Sequence, residues 1–484
     1  MTQSGVIMAF AFISLFMEAL MARKSRNYEI DMCNGPLTRK IITYCIPLAL
    51  SGILQLLYNA ADIIVVGRFT GATALAAVGS TGSLINLIVN LLIGLSVGAS
   101  VCVANFYGAG RVKDVRDTVH TAMLISVVGG VIVGIVGIVF AKTFLGWMGS
   151  PDDVIDQAAL YLRIYFAGMP LTMAYNFASA IFRALGDTKR PLYYLAVSGI
   201  INVILNLVFV IVFHMGVAGV ATATVIAQAV STTLIVSCMI RSHGVIHLDV
   251  HELRIHGDKL REIVRVGLPA GLQGTIFSIS NVLIQSSINS FGSIAIAGNS
   301  ASSNLEGFMY TSMNSVYQAA LSFAGQNMGA RKYSRLKKVL TNCLCIVTGI
   351  GMAMGAIFYL MRYQLLGIYS TDAEVISYGI VRLEIFCLTY FTCGMMDVLV
   401  GQMRGMGYSI VPMIVSLVGV CGIRIGWIYT VFRVDHSLFS LYMSYPVSWV
   451  VTMAVHFGSF LYVYHKIKKR TDGVPDVPAP ETAQ

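Results

Sequence analysis

RALGDTKRP, running from Arg183 to Pro191, returns 221 positions later as RGMGYSIVP, Arg404 to Pro412. Arginine (183, 404), glycine (186, 407) and proline (191, 412) fall in register. The same offset, within one residue, carries Pro47 onto Pro269 and Gly108-Ala109 onto Gly329-Ala330. The chain is therefore a duplicated half, and the two copies fill almost all of it. In a strongly apolar chain such a repeat points to a transporter whose halves surround a central site.

The composition identifies the solvent. Apolar residues make up 56% of the 484 positions and charged residues only 12%, where a soluble domain carries about 25% charged. Mean hydropathy is +0.75. Twelve apolar runs, near 40–66, 74–103, 118–142, 154–182, 191–213, 216–240, 264–289, 294–324, 338–361, 375–402, 409–431 and 438–464, reach the ~20 residues that cross a bilayer as a helix. The expected fold is an all-α polytopic membrane protein, twelve helices in two six-helix lobes. With six spans per half, both halves enter from the same side, so the repeat is parallel.

The net charge of +10 is a topology signal. Of 33 Lys and Arg, 26 lie before the first span, after the last, or in the loops after even-numbered spans. Only Arg68, Lys142, Arg362 and Arg433 lie on the other side, and Arg163, Arg382 and Arg424 fall within spans. The positive-inside rule then places both termini in the cytoplasm. No basic patch with interleaved aromatics suggests nucleic acid as a partner. The domain reading is an N-terminal segment 1–36, an N-lobe 37–240, a cytoplasmic linker 241–262, a C-lobe 263–465 and a tail 466–484, the latter Pro-rich and expected to be disordered. The stretch VIMAFAFISLFM near the start is too short to span, and translation beginning at Met21 is an equal reading.

The linker's His243, His247, His251 and His256 lack a neighbouring Cys or carboxylate array, so a solvated linker is preferred to a metal site. Nine cysteines without CxxC spacing read as small apolar residues. GxxxxGK[ST], HExxH and GxSxG are absent. No cofactor and no enzymatic chemistry are expected, and the energy source is an H⁺ or Na⁺ gradient.

Ionisable groups inside spans cost ~2.5–3.5 kcal/mol each on insertion scales, so each calls for a reason. Asp62 shares one face of span 1 with Asn59 and Gln55, fifteen residues after Pro47, which should bend the helix. It reads as the group whose charge is neutralised by H⁺ or Na⁺, against a structural Asp bonded to amides. Asn202 and Asn206 on span 5, with Thr224 and Gln228 on span 6, repeat an i, i+4 spacing. They serve either a cation site or interhelical hydrogen bonds. Amides at Asn59, Asn202 and Asn206 are placed to hold Asp62.

The second half has Ile284 where the first has Asp62. Its polar set is Asn281, Gln285, Asn289, Glu306, Glu384, Asp397 and Arg424. Of these, Asn281, Gln285, Glu306, Asp397 and Arg424 form the expected cavity for a small-molecule substrate, with Gln55 and Asn59 from the N-lobe. Arg424 is expected to pair with one of the three acids, with contact to substrate as the alternative. Arg163 and Arg382 read as equivalent structural anchors.

IPLALSGILQLLYNAADIIVVGRFTGATALAAVG, RALGDTKRP, GVAGVATATVIAQ, GQNMGARKYSRL and RGMGYSIVP together resemble the multidrug and toxic compound extrusion (MATE) transporters, nearest in pattern to the DinF-like bacterial branch. The resemblance runs from about Gly35 to Tyr464. It implies a V-shaped pair of lobes, a monomer in a bacterial inner membrane, and export of amphipathic cationic compounds against H⁺ or Na⁺. A flippase or metabolite exporter of the wider superfamily, for lipid-linked or anionic substrates, is the alternative. Asp62 and Pro47 match the family's coupling aspartate and bend proline, Asn202 its span-5 asparagine and Thr224 its span-6 threonine. Asn206 replaces the second acid of that motif, which puts a two-acid relay in doubt. GLPAGLQGTIFSIS lacks the glutamate of the sodium-coupled branch, which disfavours sodium coupling in the C-lobe.

Overall fold

The computed structural model describes residues 28–148 and 152–471, and no strand occurs among them. The N-lobe holds α1 (Leu37–Phe69), α2 (Ala72–Gly108), α3 (Val112–Trp147), α4 in two pieces (Asp152–Ala167 and Met169–Ala184), α5 (Lys189–Leu207, continued by a π-turn Val208–Val212) and α6 (Gly216–Arg241). The C-lobe repeats the order. It has α7 (Gly257–Asn289), α8 (Ser293–Gly329), α9 (Tyr333–Leu360), α10 (Ala373–Gly405), α11 (Ile410–Ser416, a π-turn Leu417–Gly422, then Ile423–Tyr429) and α12 (Leu438–Thr471).

Ten of the twelve expected spans are single helices long and apolar enough to cross a membrane. The other two depart for physical reasons. α4 breaks at Gly168, two residues before Pro170, whose ring clashes with the carbonyl of Phe166 and cannot donate. α8 is rich in Ser, Asn and Gly, and is buried for most of its length among α1, α2, α9 and α10. A helix with little exposed surface has no need of an apolar face. Pro47 is buried inside α1, and the helix runs through it without interruption.

The lobes meet along three helix crossings: α2 on α7 and α1 on α8, which the repeat relates to each other, and α2 on α8, which it relates to itself. The first is made by glycine. A Cβ on Gly94 would lie 2.1 Å from Gly271 N, and one on Gly98 would lie 2.3 Å from Ile263 O. Gly94/Gly98 face Gly267/Gly271, so the backbones touch, as small-xxx-small pairs allow in lipid.

At the end of the lobes that carries the basic loops, Tyr44 of α1 donates to Arg183 O (3.1 Å) and shares a hydrogen bond with Ser322 Oγ of α8 (2.8 Å). Away from that end, the last hydrogen bond between lobes among the described residues is Asn90 Nδ2 to Ser278 Oγ, 3.1 Å. The molecule is thus closed on its basic face.

Two segments outside the spans pack against the lobes. Residues 28–36 cross the basic face between the lobes, with Met32 fully buried, Glu29 accepting from Tyr107 OH (3.1 Å), and Lys332 donating to Asn34 Oδ1 (2.6 Å). The linker also departs from a solvated tether. Ile246 and Leu248 are buried, Asp249 N donates to His120 Nε2 (3.1 Å), and His256 N donates to Thr121 Oγ1 (3.1 Å), which binds the linker to α3. Met21, the apolar stretch before it and the tail after 471 lie outside the described residues.

Candidate coupling site and substrate cavity

The i, i+4 spacing of Asn202 and Asn206 puts both amides on the face of α5 that meets α1 and α6. Asn206 Nδ2 donates to Asp62 Oδ1 and lies 3.3 Å from Asn202 Oδ1. Thr224 Oγ1 reaches Asp62 Oδ2 at 3.5 Å and accepts from Asn202 Nδ2 at 3.4 Å. Three helices therefore bring Asp62, Asn202, Asn206 and Thr224 into one cluster.

No basic side chain lies within ion-pair distance of Asp62 among the described residues. Asn206 is fully buried, yet its Oδ1 has no hydrogen-bond partner there. Buried oxygens without partners are uncommon. A carboxylate, two amide oxygens and a hydroxyl form a donor set of hard oxygens suited to a proton or to Na⁺. The wide π-turn at Val208–Val212 follows at once, a feature often found at functional sites.

Gln55 and Asn59 lie elsewhere. Both are exposed on α1, and Asp62 takes its amide contact from Asn206 across the lobe rather than from Asn59 on its own helix.

A second site lies chiefly in the C-lobe, a cavity of about 530 Å³ lined by Asn281, Gln285, Glu306, Asp397 and Arg424, with an aromatic wall of Phe386, Tyr390, Tyr445 and Trp449 and with Asn90 of α2 at its N-lobe edge. Gln55 and Asn59 are not in its lining. Glu306 is buried against Arg382 in a bidentate pair, Nε to Oε1 2.6 Å and Nη2 to Oε2 2.7 Å. Arg382 Nη1 donates to Asn299 Oδ1 at 2.6 Å, Tyr442 OH donates to the same oxygen at 3.2 Å, and Asn299 Nδ2 donates to Gln285 Oε1 at 3.2 Å.

These contacts correct three expectations. Arg424 pairs with none of the acids: its Nε donates to Ser448 Oγ (3.0 Å) and its guanidinium lies 4.2 Å over the Tyr445 ring. Glu384 is taken by Arg362, 3.0 Å away at the face opposite the basic loops. Arg163 and Arg382 are not equivalents, since Arg163 is exposed and Arg382 is the buried partner of Glu306. Nothing local in the sequence links Glu306 to Arg382, 76 positions apart. The aromatic wall did leave a signal, because Tyr442, Tyr445 and Trp449 follow an i, i+3, i+7 stripe on α12.

Arg404, in the repeated motif, donates from Nη1 to Tyr317 OH and from Nη2 to Gln273 Oε1, both 2.8 Å. It braces α7 and α8 below the cavity.

The MatE family model matches residues 47–208 and again 269–430, once in each lobe. A probable multidrug resistance protein, YoeA of Bacillus subtilis, is 27% identical over 439 residues, 88% of this chain and 94% of that protein. A FAD transporter of Shewanella oneidensis is 22% identical over 357 residues, 72% of this chain and 77% of that one. Among solved structures, an outward-facing conformation of a multidrug resistance MATE family transporter superposes with a TM-score of 0.85 at 21% identity, covering 92% of this chain and 100% of that chain. Two copies of one membrane repeat, matched separately along most of both lobes, place the protein: the chain belongs to the MatE family of membrane transporters.

Proposed function

We propose that the chain exports amphipathic, cationic organic compounds across a bacterial inner membrane in exchange for H⁺ or Na⁺, with Asp62 as the coupling group. Membership of the family makes it a transporter rather than an enzyme. The observation that carries the coupling role is a carboxylate inside a span, held by Asn206 and Thr224 and offset by no basic side chain among the described residues. A bare charge there is costly. Taking up H⁺ or Na⁺ removes that cost, lets α1, α5 and α6 repack, and makes the ion favour one lobe arrangement over the other, as alternating access requires. Pro47 supplies a weak point in α1 for such a change. In this reading the basic face and both termini are cytoplasmic, the protein acts as a monomer, and each charge moved contributes ~2.3 kcal/mol per 100 mV.

The test is substrate efflux from proteoliposomes under an imposed pH or Na⁺ gradient. Asp62→Asn should still bind substrate but lose gradient-driven export. Asn206→Ala should lower export about tenfold, as loss of a bond to a charged group implies, and should add nothing in the Asp62→Asn background. Undiminished export by Asp62→Asn would overturn the assignment.

A second reading, export of an anionic or lipid-linked metabolite, is favoured by one observation, the Arg424 guanidinium on the cavity wall without an acid beside it. The similarity to a FAD transporter agrees with it. Gradient-driven export of FAD, with no export of a cationic dye, would select it.

A further inference from the structure

Four charged side chains line the C-lobe cavity, and they are not disposed alike. Glu306 and Arg382 close on each other through two short contacts and cancel. Asp397 on α10 and Arg424 on α11 have no ion-pair partner among the described residues. Arg424 is only 5% exposed. Its Nε is committed to Ser448 and its plane lies on Tyr445, so the guanidinium is held in one orientation. Its two terminal nitrogens have no acceptor among the described residues. The π-turn Leu417–Gly422, immediately before Arg424, shifts the phase of α11 at this point, and Val420 within it lines the same cavity.

A buried cation without a partner is expensive, and a structural role is served more cheaply by a neutral side chain. The pair of nitrogens left free matches the fork geometry of a carboxylate. Asp397 presents the opposite charge from another wall, and the aromatic side chains lie in the same lining. We infer that this cavity takes zwitterionic aromatic amphiphiles, the substrate's carboxylate meeting Arg424 and its ammonium meeting Asp397. The inference rests on the export reading above and replaces its cationic substrate class with a zwitterionic one. A purely cationic compound meets only Asp397, and an anionic one only Arg424.

Three probes with one fluorophore separate the possibilities: Nα-dansyl-lysine carries both charges, dansylcadaverine lacks the carboxylate, and N-dansyl-6-aminohexanoic acid lacks the ammonium. Binding is read from dansyl emission with the full chain in nanodiscs. The wild type should prefer Nα-dansyl-lysine to each single-charge probe by about tenfold, the scale of one charge-assisted hydrogen bond. Arg424→Gln should erase the preference over dansylcadaverine, and Asp397→Asn the preference over the aminohexanoate. Arg424→Lys, which keeps charge without the fork, should retain part of it. Equal binding of all three by the wild type overturns the inference, as does a preference unchanged in Arg424→Gln. Should that variant fail to fold, the wild-type comparison and Arg424→Lys still decide. Gradient-driven export of dansylcadaverine is followed in parallel. Its presence without a zwitterion preference refutes this inference alone, and absence of gradient-driven export for all three probes refutes the export reading.

Discussion

Asn105 and Gln326 occupy the same position of the two repeats, and each hydrogen-bonds the backbone of the opposite lobe. Asn105 Nδ2 donates to Gly405 O at 3.2 Å, and Gln326 Nε2 donates to Ala184 O at 2.8 Å. Gly405 and Ala184 are themselves equivalent, each the last residue of its helix beside a motif arginine. The crossing is tight because Gly108 and Gly329, again equivalent, leave no room for a side chain. A Cβ on Gly108 would lie 2.0 Å from Gln326 O, and one on Gly329 would lie 1.9 Å from Asn105 O. The internal two-fold therefore passes through a reciprocal latch that closes the basic face.

Breaking one half of the latch should loosen that face without unfolding the protein. Asn105→Ala or Gln326→Ala removes a hydrogen bond worth ~1 kcal/mol, or about fivefold in the opening equilibrium. A cysteine at Ala104, fully buried beside Gly325, should react with a thiol reagent about that much faster in either variant, and faster again in the double. An unchanged rate would mean that the latch does not hold the face shut.

The α2–α7 crossing makes a steric prediction. Gly94→Ala or Gly98→Ala drives a methyl into backbone and should cost ~1–3 kcal/mol or force the helices apart. Gly274→Ala is the control, since its nearest neighbour would be Asn90 Cβ at 3.4 Å. Melting of the purified protein in detergent should separate the two sets by several degrees, and equal melting would contradict the contact.

The Glu306–Arg382 pair should behave as one unit. Glu306→Ala leaves Arg382 buried without its acid, which costs ~3–5 kcal/mol. Glu306→Gln with Arg382→Met should be milder than the sum of the singles, because no bare charge remains. Additive losses in detergent unfolding would show that the two do not interact.

Docking of residues 28–36 should depend on pH with a defined sign. Burial holds the Glu29 carboxyl above its ordinary value, against the Tyr107 hydrogen bond and the charge of Arg190. An acid raised by docking favours docking fully only below its undocked value, ~4.3 for Glu. That contribution is lost as pH rises through the docked value. At neutral pH the wild type therefore bears the cost of a buried charge that Glu29→Gln does not. Cys33 in the same segment reports on it, since burial pushes its thiol up to about 11. With the other eight of the nine cysteines replaced, labelling of Cys33 near pH 7 should be slower in Glu29→Gln than in wild type. Faster labelling would reverse the assigned sign.

The features legible in the sequence were those with a short-range or whole-chain cause. Apolar length and the 221-residue repeat specify two lobes of six spans, because backbone groups in lipid have to bond within their own helix. Asp62, Asn202, Asn206 and Thr224 stand out because polar groups inside spans are costly and their i, i+4 spacing survives in any straight helix. The side on which each side chain finds its partner was not legible. Which of two intramembrane arginines takes Glu306, and whether Asn59 or Asn206 holds Asp62, depends on how helices from distant parts of the chain rotate against one another. The Leu417–Gly422 π-turn changes that rotation just before Arg424. The ordered 28–36 segment and the anchored linker belong to the same class, since Met32, Ile246 and Leu248 are buried only once both ends of their contacts have been assembled. Local composition determines what has to be inside the membrane, and only the packed tertiary structure determines which charge is left without a partner there.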